Sequence, residues 1–269
     1  MTKLIEQARA LYKRVERRVA QNILNRLLDQ CSLSHQKFGT RYGGWFVPNG
    51  LLNNRSRCYG VGAGEDISFE VELINRYGCE VHCFDPTPRA QRHVEQLRRN
   101  TINGIPTSIN DAVDVYYQVD PACLARLHFH AIGLWSQDRI MRFYAPANPA
   151  HVSHSIVNLQ HTTEYFEADC RALRTVMQTL GHSDVSLLKL DVEGAEYEIL
   201  GSLIDGHIRP TVLCVEFDEG YNPLDEEYMP RILNMVTRVK ACGYRLTYVD
   251  GWNVTFVHHH AMTKSERNA

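Results

Sequence analysis

Apolar and polar positions follow two periods along this chain, and the changes of period mark its elements. In residues 1–30, Leu4, Ala8, Leu11, Val15, Val19, Ile23 and Leu27 recur every three or four positions, the stripe of a helix. Lys3, Arg9, Lys13, Arg14, Arg17 and Arg18 fill the other face. Such a helix packs on a domain with its charged face in water; the alternatives are contact with a second copy or with an anionic membrane surface. Residues 31–56 show neither period and read as irregular. They include Arg41 to Pro48, where two glycines adjoin an aromatic pair. Tyr42 and Trp45 there either plug the first strand or wall a substrate pocket.

From residue 57 onward short apolar runs alternate with helical stripes. Cys58 to Val61 reads as a strand and Ile67 to Tyr77 as a helix, with Ile67, Val71 and Ile74 inward. Glu80 to Phe84 is a second strand. A helix runs from Pro88 to about Arg99, and Asn103-Gly104 ends that segment. Leu127 to Ile132 is a third strand closed by Gly133, and Trp135 with Arg139 to Tyr144 forms a hairpin extension. Residues 145–163 read as a long loop carrying His151, His154 and His161; no acid or cysteine is spaced to complete a metal set with them. A helix from Cys170 to Leu180 precedes a buried strand, Val185 to Leu190, and a helix to about Leu203 follows. Thr211 to Phe217 is a strand and Met229 to Cys242 a helix. Tyr244 to Val249 and Asn253 to His258 form a closing hairpin about Asp250-Gly251.

This succession predicts an α/β fold: a doubly wound, mostly parallel seven-stranded sheet with one antiparallel strand from the hairpin, and an N-terminal helical extension. The expected organisation is a helix and connecting loop over 1–50, packed on a single domain over 51–260, with a loose tail over 261–269. Composition narrows the setting. The 269 residues are 44% hydrophobic with a net charge of −2 and no basic block, so nothing points to nucleic acid. No apolar run is long enough to span a bilayer, and the charged start does not resemble a signal peptide. Eight cysteines without a C-x-x-C pair imply reduced thiols and a cytoplasmic setting.

In such sheets ligands bind beyond the C-terminal strand ends. Gly60–Gly64, Asp85, Ile132-Gly133, Asp191 and Glu216 all stand at strand ends and are expected to gather at one edge. Gly60-Val61-Gly62-Ala63-Gly64 follows the first strand, and Asp85 lies 85 − 64 = 21 residues after the last glycine. A carboxylate there can accept from ribose hydroxyls. Asp66 is placed to cap the next helix. A dinucleotide fingerprint needs its third glycine at 65, but that residue is Glu65, which repels a pyrophosphate. The G-x-G-x-G spacing suits S-adenosyl-L-methionine, which carries no phosphate.

LLKLDVEGAEYEIL, Leu187 to Leu200, closely resembles the signature of the FkbM-type methyltransferases. Phe84-Asp85-Pro86-Thr87-Pro88 is similar to that family's acid-Pro turn, and VLCVEF, Val212 to Phe217, to its later strand ending in glutamate. With GVGAGEDISFE the likeness covers about residues 57–217; Gly43-Gly44-Trp45 resembles one branch. The resemblance implies a class I, Rossmann-like fold and O-methylation of hydroxyls on sugars or natural-product-like small molecules. One departure is Cys58, where such enzymes often carry an acid two residues before the first glycine.

On that reading Gly60, Val61, Gly62 and Gly64 hold the methionine portion, with Asp66 or Asp191 compensating for Cys58; Asp85 takes the ribose, Ile132 and Gly133 the adenine, and Pro86 is a further cofactor contact. Asp191 meets cofactor and substrate together. Asp191 and Glu216 are the candidate catalytic residues, and Trp45, His154 and Glu193 are candidate acceptor contacts. Asp191 and Glu193 also fit simple helix N-terminal acids. Glu196 is expected to face solvent or a basic side chain, and Lys189 to reach along its strand to a carboxylate. No metal is assigned. The competing readings are a nicotinamide-dependent oxidoreductase, opposed by Glu65 and the D-V-E-G-A-E run, and a non-catalytic protein that binds S-adenosylmethionine.

Overall fold

The computed structural model describes residues 18–19, 21–109, 115–145, 156 and 162–263. Most of the N-terminal helical stripe therefore lies outside the described residues; residues 18–19 and 21–26 are helical. Among the described residues no helix is long and apolar enough to cross a membrane.

A hairpin comes first: β1 (His35–Phe38) and β2 (Trp45–Pro48), paired antiparallel. The central elements follow as β3 (Arg57–Val61), α1 (Ser68–Tyr77), β4 (Glu80–Phe84), α2 (Pro88–Ile102) and β5 (Leu127–His130). Next come β6 (Gly133–Trp135), β7 (Arg139–Tyr144), β8 (Tyr165–Ala172) and α3 (Leu173–Leu180). The chain closes with β9 (Leu187–Leu190), α4 (Glu196–Asp205), β10 (Val212–Glu216), α5 (Tyr228–Ala241), β11 (Tyr244–Asp250) and β12 (Asn253–His258).

Seven strands form the central sheet in the order β11-β12-β10-β9-β3-β4-β5. The pairs along β10-β9-β3-β4-β5 are parallel, and β12 runs antiparallel to both β10 and β11. This is the expected sheet, with the expected single reversed strand. The order turns back between β3 and β9, which places a crevice at their C-terminal ends.

Strand alternation divides the core into two layers. Cys58, Val81, Cys83, Leu187, Val212 and Cys214 face α1, α2 and the β1–β2 hairpin. Tyr59, Val61, Phe84, Leu188, Leu190, Leu213 and Val215 face α3, α4 and α5. Because both faces are covered, the strands read as continuous apolar runs.

Three expectations need correction. Trp135 and Arg139–Tyr144, read as a hairpin, do not pair with each other; β6 and β7 lie on opposite sides of β8. The stretch 31–56, read as irregular, contains the β1–β2 hairpin. Its strands are four residues each, too short to show a period. Tertiary bonds hold them: Thr255 Oγ1 donates to the Phe46 carbonyl at 2.7 Å, and His35 Nε2 lies 3.0 Å from Thr247 Oγ1. The segment read as helical from Cys170 is instead the end of β8, and the helix begins at Leu173. Strand β8 is half-exposed and mixed in character, and it pairs with β6 and β7 in a separate three-stranded sheet. Such pairing depends on partners distant in sequence, which local patterning does not report.

Residues 21–30 are docked on the domain. Leu24 is fully buried, Asp29 N donates to the Leu246 carbonyl at 2.8 Å, and Lys240 Nζ lies 3.0 Å from Asp29 Oδ2. Leu24→Ala is expected to lower the unfolding free energy by about 2–4 kcal/mol, as for other buried leucines. Urea titration followed by circular dichroism checks this; an unchanged midpoint means the segment is not part of the core.

Candidate active site at the strand ends

The glycine turn after β3 is built by close approach. Gly62 has φ +83°, and a Cβ on it would stand 1.7 Å from the Asp191 carbonyl oxygen. Only a bare backbone fits between β3 and the end of β9. Asp191 N also donates to the Val61 carbonyl at 3.1 Å. Gly60 makes room for the Glu70 carboxylate, whose Oε1 would lie 2.4 Å from a Cβ. Gly64 has φ +52° and open space around its Cβ position. The three glycines therefore serve different ends, and only Gly64 leaves a cradle for a ligand.

Asp85 holds the turn from the β4 side. Its Oδ2 accepts from Ala63 N at 3.0 Å and Gly64 N at 2.9 Å, and its Oδ1 from Thr87 N at 2.8 Å and Thr87 Oγ1 at 2.6 Å. A carboxylate offers about four lone-pair positions. All are taken by the chain itself, so the ribose role read for Asp85 competes with its hold on the turn. Asp66, expected to cap the helix, stands one residue before its N-cap Ile67, which has no side-chain cap; its Oδ1 accepts from Ser68 N at 2.9 Å, while its Oδ2 accepts from Thr40 Oγ1 at 2.7 Å. That second bond ties the 40–44 loop to the turn.

Beneath the turn, Lys189 Nζ donates to the Gly62 carbonyl at 2.8 Å and lies 3.4 Å from Asp191 Oδ2 and 3.7 Å from Glu70 Oε1. Burial opposes the lysine charge, but Glu70 and Asp191 more than offset it, and its pKa is raised. Burial likewise pushes Glu70 up, against the pull of Lys189. The reach along the strand expected of Lys189 is thus present, with the turn carbonyl as a further partner.

Beyond the turn the site is acidic. Glu216, at the end of β10, is hydrogen-bonded to Asp191; burial first, and then that carboxylate, push its pKa up to about 11. Two carboxyls in such contact do not both ionise. Glu193 sits at φ +49° in the turn after β9 and bonds to Asp218, whose own pKa is raised by burial. Glu196, expected to face solvent or a basic side chain, is instead fully buried. Its Oε2 accepts from Gly194 N at 2.9 Å, and burial raises its pKa to about 8. The correction has a simple cause. The first turn of α4 faces the sheet through Glu196, where it bonds the backbone of its own N-terminal turn.

Gly133 packs toward β8, with Cys170 Sγ 2.7 Å and Pro86 Cγ 3.7 Å from where its Cβ would lie, so Pro86 and Gly133 are brought together. Ile132 beside it is half-buried. Trp45 is 3% exposed and belongs to the core on the α1 side, whereas Tyr42 is 83% exposed. Partial desolvation of the phenol oxygen by its surroundings, and then Asp191, Glu193, Glu216 and Asp66, raise the Tyr42 pKa, which puts Tyr42 near those acids. His154 lies outside the described residues. Sequence reasoning missed Glu70 and Asp218 and misplaced Glu196; for Tyr42 it left a plug and a pocket wall open. Lys189 beside Asp191 was the one signal that a buried carboxylate partner was required.

The strand order, the reversed β12 and the ligand edge at the glycine turn define a class I methyltransferase fold. The methyltransferase FkbM domain matches residues 59–246, and the chain belongs to that family. It is similar over 156 residues to the probable methyltransferase-like protein 24 of Homo sapiens, at 26% identity, covering 57% of this chain and 30% of that protein. The Rattus norvegicus protein of the same name matches at 27% identity over the same shares. The alignment thus spans less than a third of the length of these relatives. Among solved structures, the methyltransferase FkbM from Methylobacillus flagellatus KT aligns at 13% identity with a TM-score of 0.43, covering 78% of this chain and 45% of that one. An O-methyltransferase family protein from Burkholderia thailandensis aligns at 10% identity with a TM-score of 0.36, covering 94% of this chain and 59% of that one.

Two outcomes are expected. Gly62→Ala combines a forbidden φ with a backbone clash and should cost about 3 kcal/mol or more; Gly64→Ala, strained only in φ, should cost about 1 kcal/mol. Equal losses in denaturant titrations overturn the distinction. Glu216 also shapes the pH dependence. A carboxyl in the unfolded chain titrates near pH 4.3. Between there and the raised folded value, the native state holds the extra proton, so stability falls as pH rises. Urea midpoints should fall from pH 7 to pH 9, and Glu216→Gln should remove up to about 1.4 kcal/mol per pH unit of that slope. The same slope in the variant shows that Glu216 is already ionised.

Proposed function

We propose that this chain transfers a methyl group from S-adenosyl-L-methionine to a hydroxyl of a small acceptor, such as a sugar or a natural-product-like compound. The observation that carries the reading is the sign of charge at the glycine turn: Asp191, Glu193 and Asp66 act on the Tyr42 phenol there, and the protonated Glu216 beside them adds no positive charge. Such a field attracts a sulfonium cofactor and repels a pyrophosphate. The open space at Gly64 adds a bare-backbone cradle. When bound, the cofactor supplies an electrophilic methyl carbon for in-line attack.

The chain's own residues do the rest. The backbone of Gly60, Val61, Gly62 and Gly64, with Asp66, holds the methionine portion. Pro86, Ile132 and Gly133 border the adenine. Asp85 reaches a ribose hydroxyl by exchanging one of its bonds to the turn. The Asp191–Glu216 pair receives the acceptor's proton. Glu216 starts protonated, so it donates within the pair, and Asp191 is the oxygen that takes the hydroxyl proton. Tyr42 and Glu193 flank the acceptor side. Trp45 supports the loop from the core, and His154 keeps its assignment as an acceptor contact.

One observation favours a second reading, a protein that binds the cofactor without turning it over. Asp85 is saturated by the turn, and Cys58 stands where an acid is common. Calorimetric titration with S-adenosylmethionine, S-adenosylhomocysteine and NAD separates the readings when run in buffers of different ionisation enthalpy. Binding of the first with proton release, abolished in Glu216→Gln, is expected, because a nearby cation lowers a carboxyl pKa. Binding without methyl transfer to any hydroxylated acceptor favours the second reading. Binding of NAD alone overturns both.

A further inference from the structure

At the opposite end of the parallel strands, away from the glycine turn, three donor atoms converge. Strand alternation puts Glu80 and His82 on one face of β4, and the parallel register sets His128 of β5 directly beside His82. Glu80 Oε1 lies 3.2 Å from His82 Nε2 and 3.3 Å from His128 Nε2, and all three donor atoms lie within 4.8 Å of one another. From this geometry we infer that Glu80, His82 and His128 form a binding site for a divalent first-row transition metal, with zinc as the representative ion.

The spacing is that of ligands around a shared centre. Two donors about 2.1 Å from one ion stand roughly 3.0–3.4 Å apart at octahedral or tetrahedral angles. His82 is 3% exposed, yet its Nε2 makes no hydrogen bond, although a carboxylate oxygen is 3.2 Å away. Metal ligands show this arrangement because each donor aims at the ion and not at its neighbour. The other ring nitrogen is already engaged: His82 Nδ1 lies 2.9 Å from His130 Nε2. With the proton on Nδ1, Nε2 presents a bare lone pair, and a hydrogen bond to the second ring nitrogen is the usual support for a ligating histidine.

The carboxylate is divided in the same sense. Its Oε2 faces Arg57 Nε at 4.0 Å, which leaves Oε1 to the two imidazoles. Two imidazoles and one carboxylate suit zinc, iron, cobalt or nickel, and do not suit magnesium or calcium, which prefer oxygen alone. The side chains of Glu80 and His128 are 38% and 39% exposed, so an ion can enter from solvent and water can complete its shell. The site spans β4 and the edge strand β5, far from the methyl-transfer edge. Its effect is therefore to clip the sheet edge.

The test is titration of the full chain, carrying no added histidine tag, with Co2+ followed by its d–d absorption, then displacement by Zn2+. One equivalent is expected to bind, and Zn2+ should raise the melting temperature. Glu80→Gln and His128→Asn, both at accessible positions, should each lower the affinity at least tenfold, with unchanged circular dichroism. His260→Asn serves as control for the neighbouring His258, His259 and His260, which also lie close together. The inference is overturned by the absence of Co2+ binding, by unchanged affinity in Glu80→Gln and His128→Asn, or by loss of binding in His260→Asn instead.

Discussion

The contact between Gly62 and the Asp191 backbone is the constraint on which the rest of the site depends. It brings the ends of β3 and β9 closer than any side chain permits. The price of that approach is a turn with positive φ at Gly62 and Gly64, and the chain holds it from three sides. Asp85 takes the turn's amide groups, Lys189 takes its carbonyl, and Asp66 ties it to the hairpin loop through Thr40. Each tie uses an ionisable side chain, so the geometry of the turn and the electrostatics of the crevice are one problem.

Packing then sets the charge. Lys189 is almost wholly buried and directed beneath the turn, so it neutralises Glu70 and part of Asp191 without presenting a cation to the crevice. What remains above the turn is acidic and carries no cation: Asp191 and Glu193, with the protonated Glu216 beside them and Asp218 and Glu196 behind. Crowding and burial keep Glu216 protonated. A crevice of this sign favours cations over phosphates.

The second cluster shows the same physics in another place. A parallel sheet sets equivalent positions of neighbouring strands side by side. Polar residues at alternate positions on β4 and the edge strand β5 therefore fall into rows. Where the usual occupant is an aliphatic side chain, Glu80, His82 and His128 form a polar row on the face that also carries Tyr59 and Phe84. Buried imidazole beside carboxylate calls for a proton or a metal ion between them.

Much of this was legible in the chain. The run from Cys58 to Asp85, the D-V-E-G-A-E segment and the closing hairpin determined the sheet, its single reversed strand and the gathering of Gly60–Gly64, Asp85, Asp191 and Glu216 at one edge. Period and turn chemistry are local, so they survive in the sequence alone. The tertiary structure decided what depends on distant neighbours. It turned the irregular 31–56 stretch into a hairpin, drew β8 out of an apparent helix and buried Glu196. It also saturated Asp85 and placed Glu80 against two histidines. Each of these follows from contacts with residues far along the chain, whose distances and burial no local pattern of polar and apolar positions encodes.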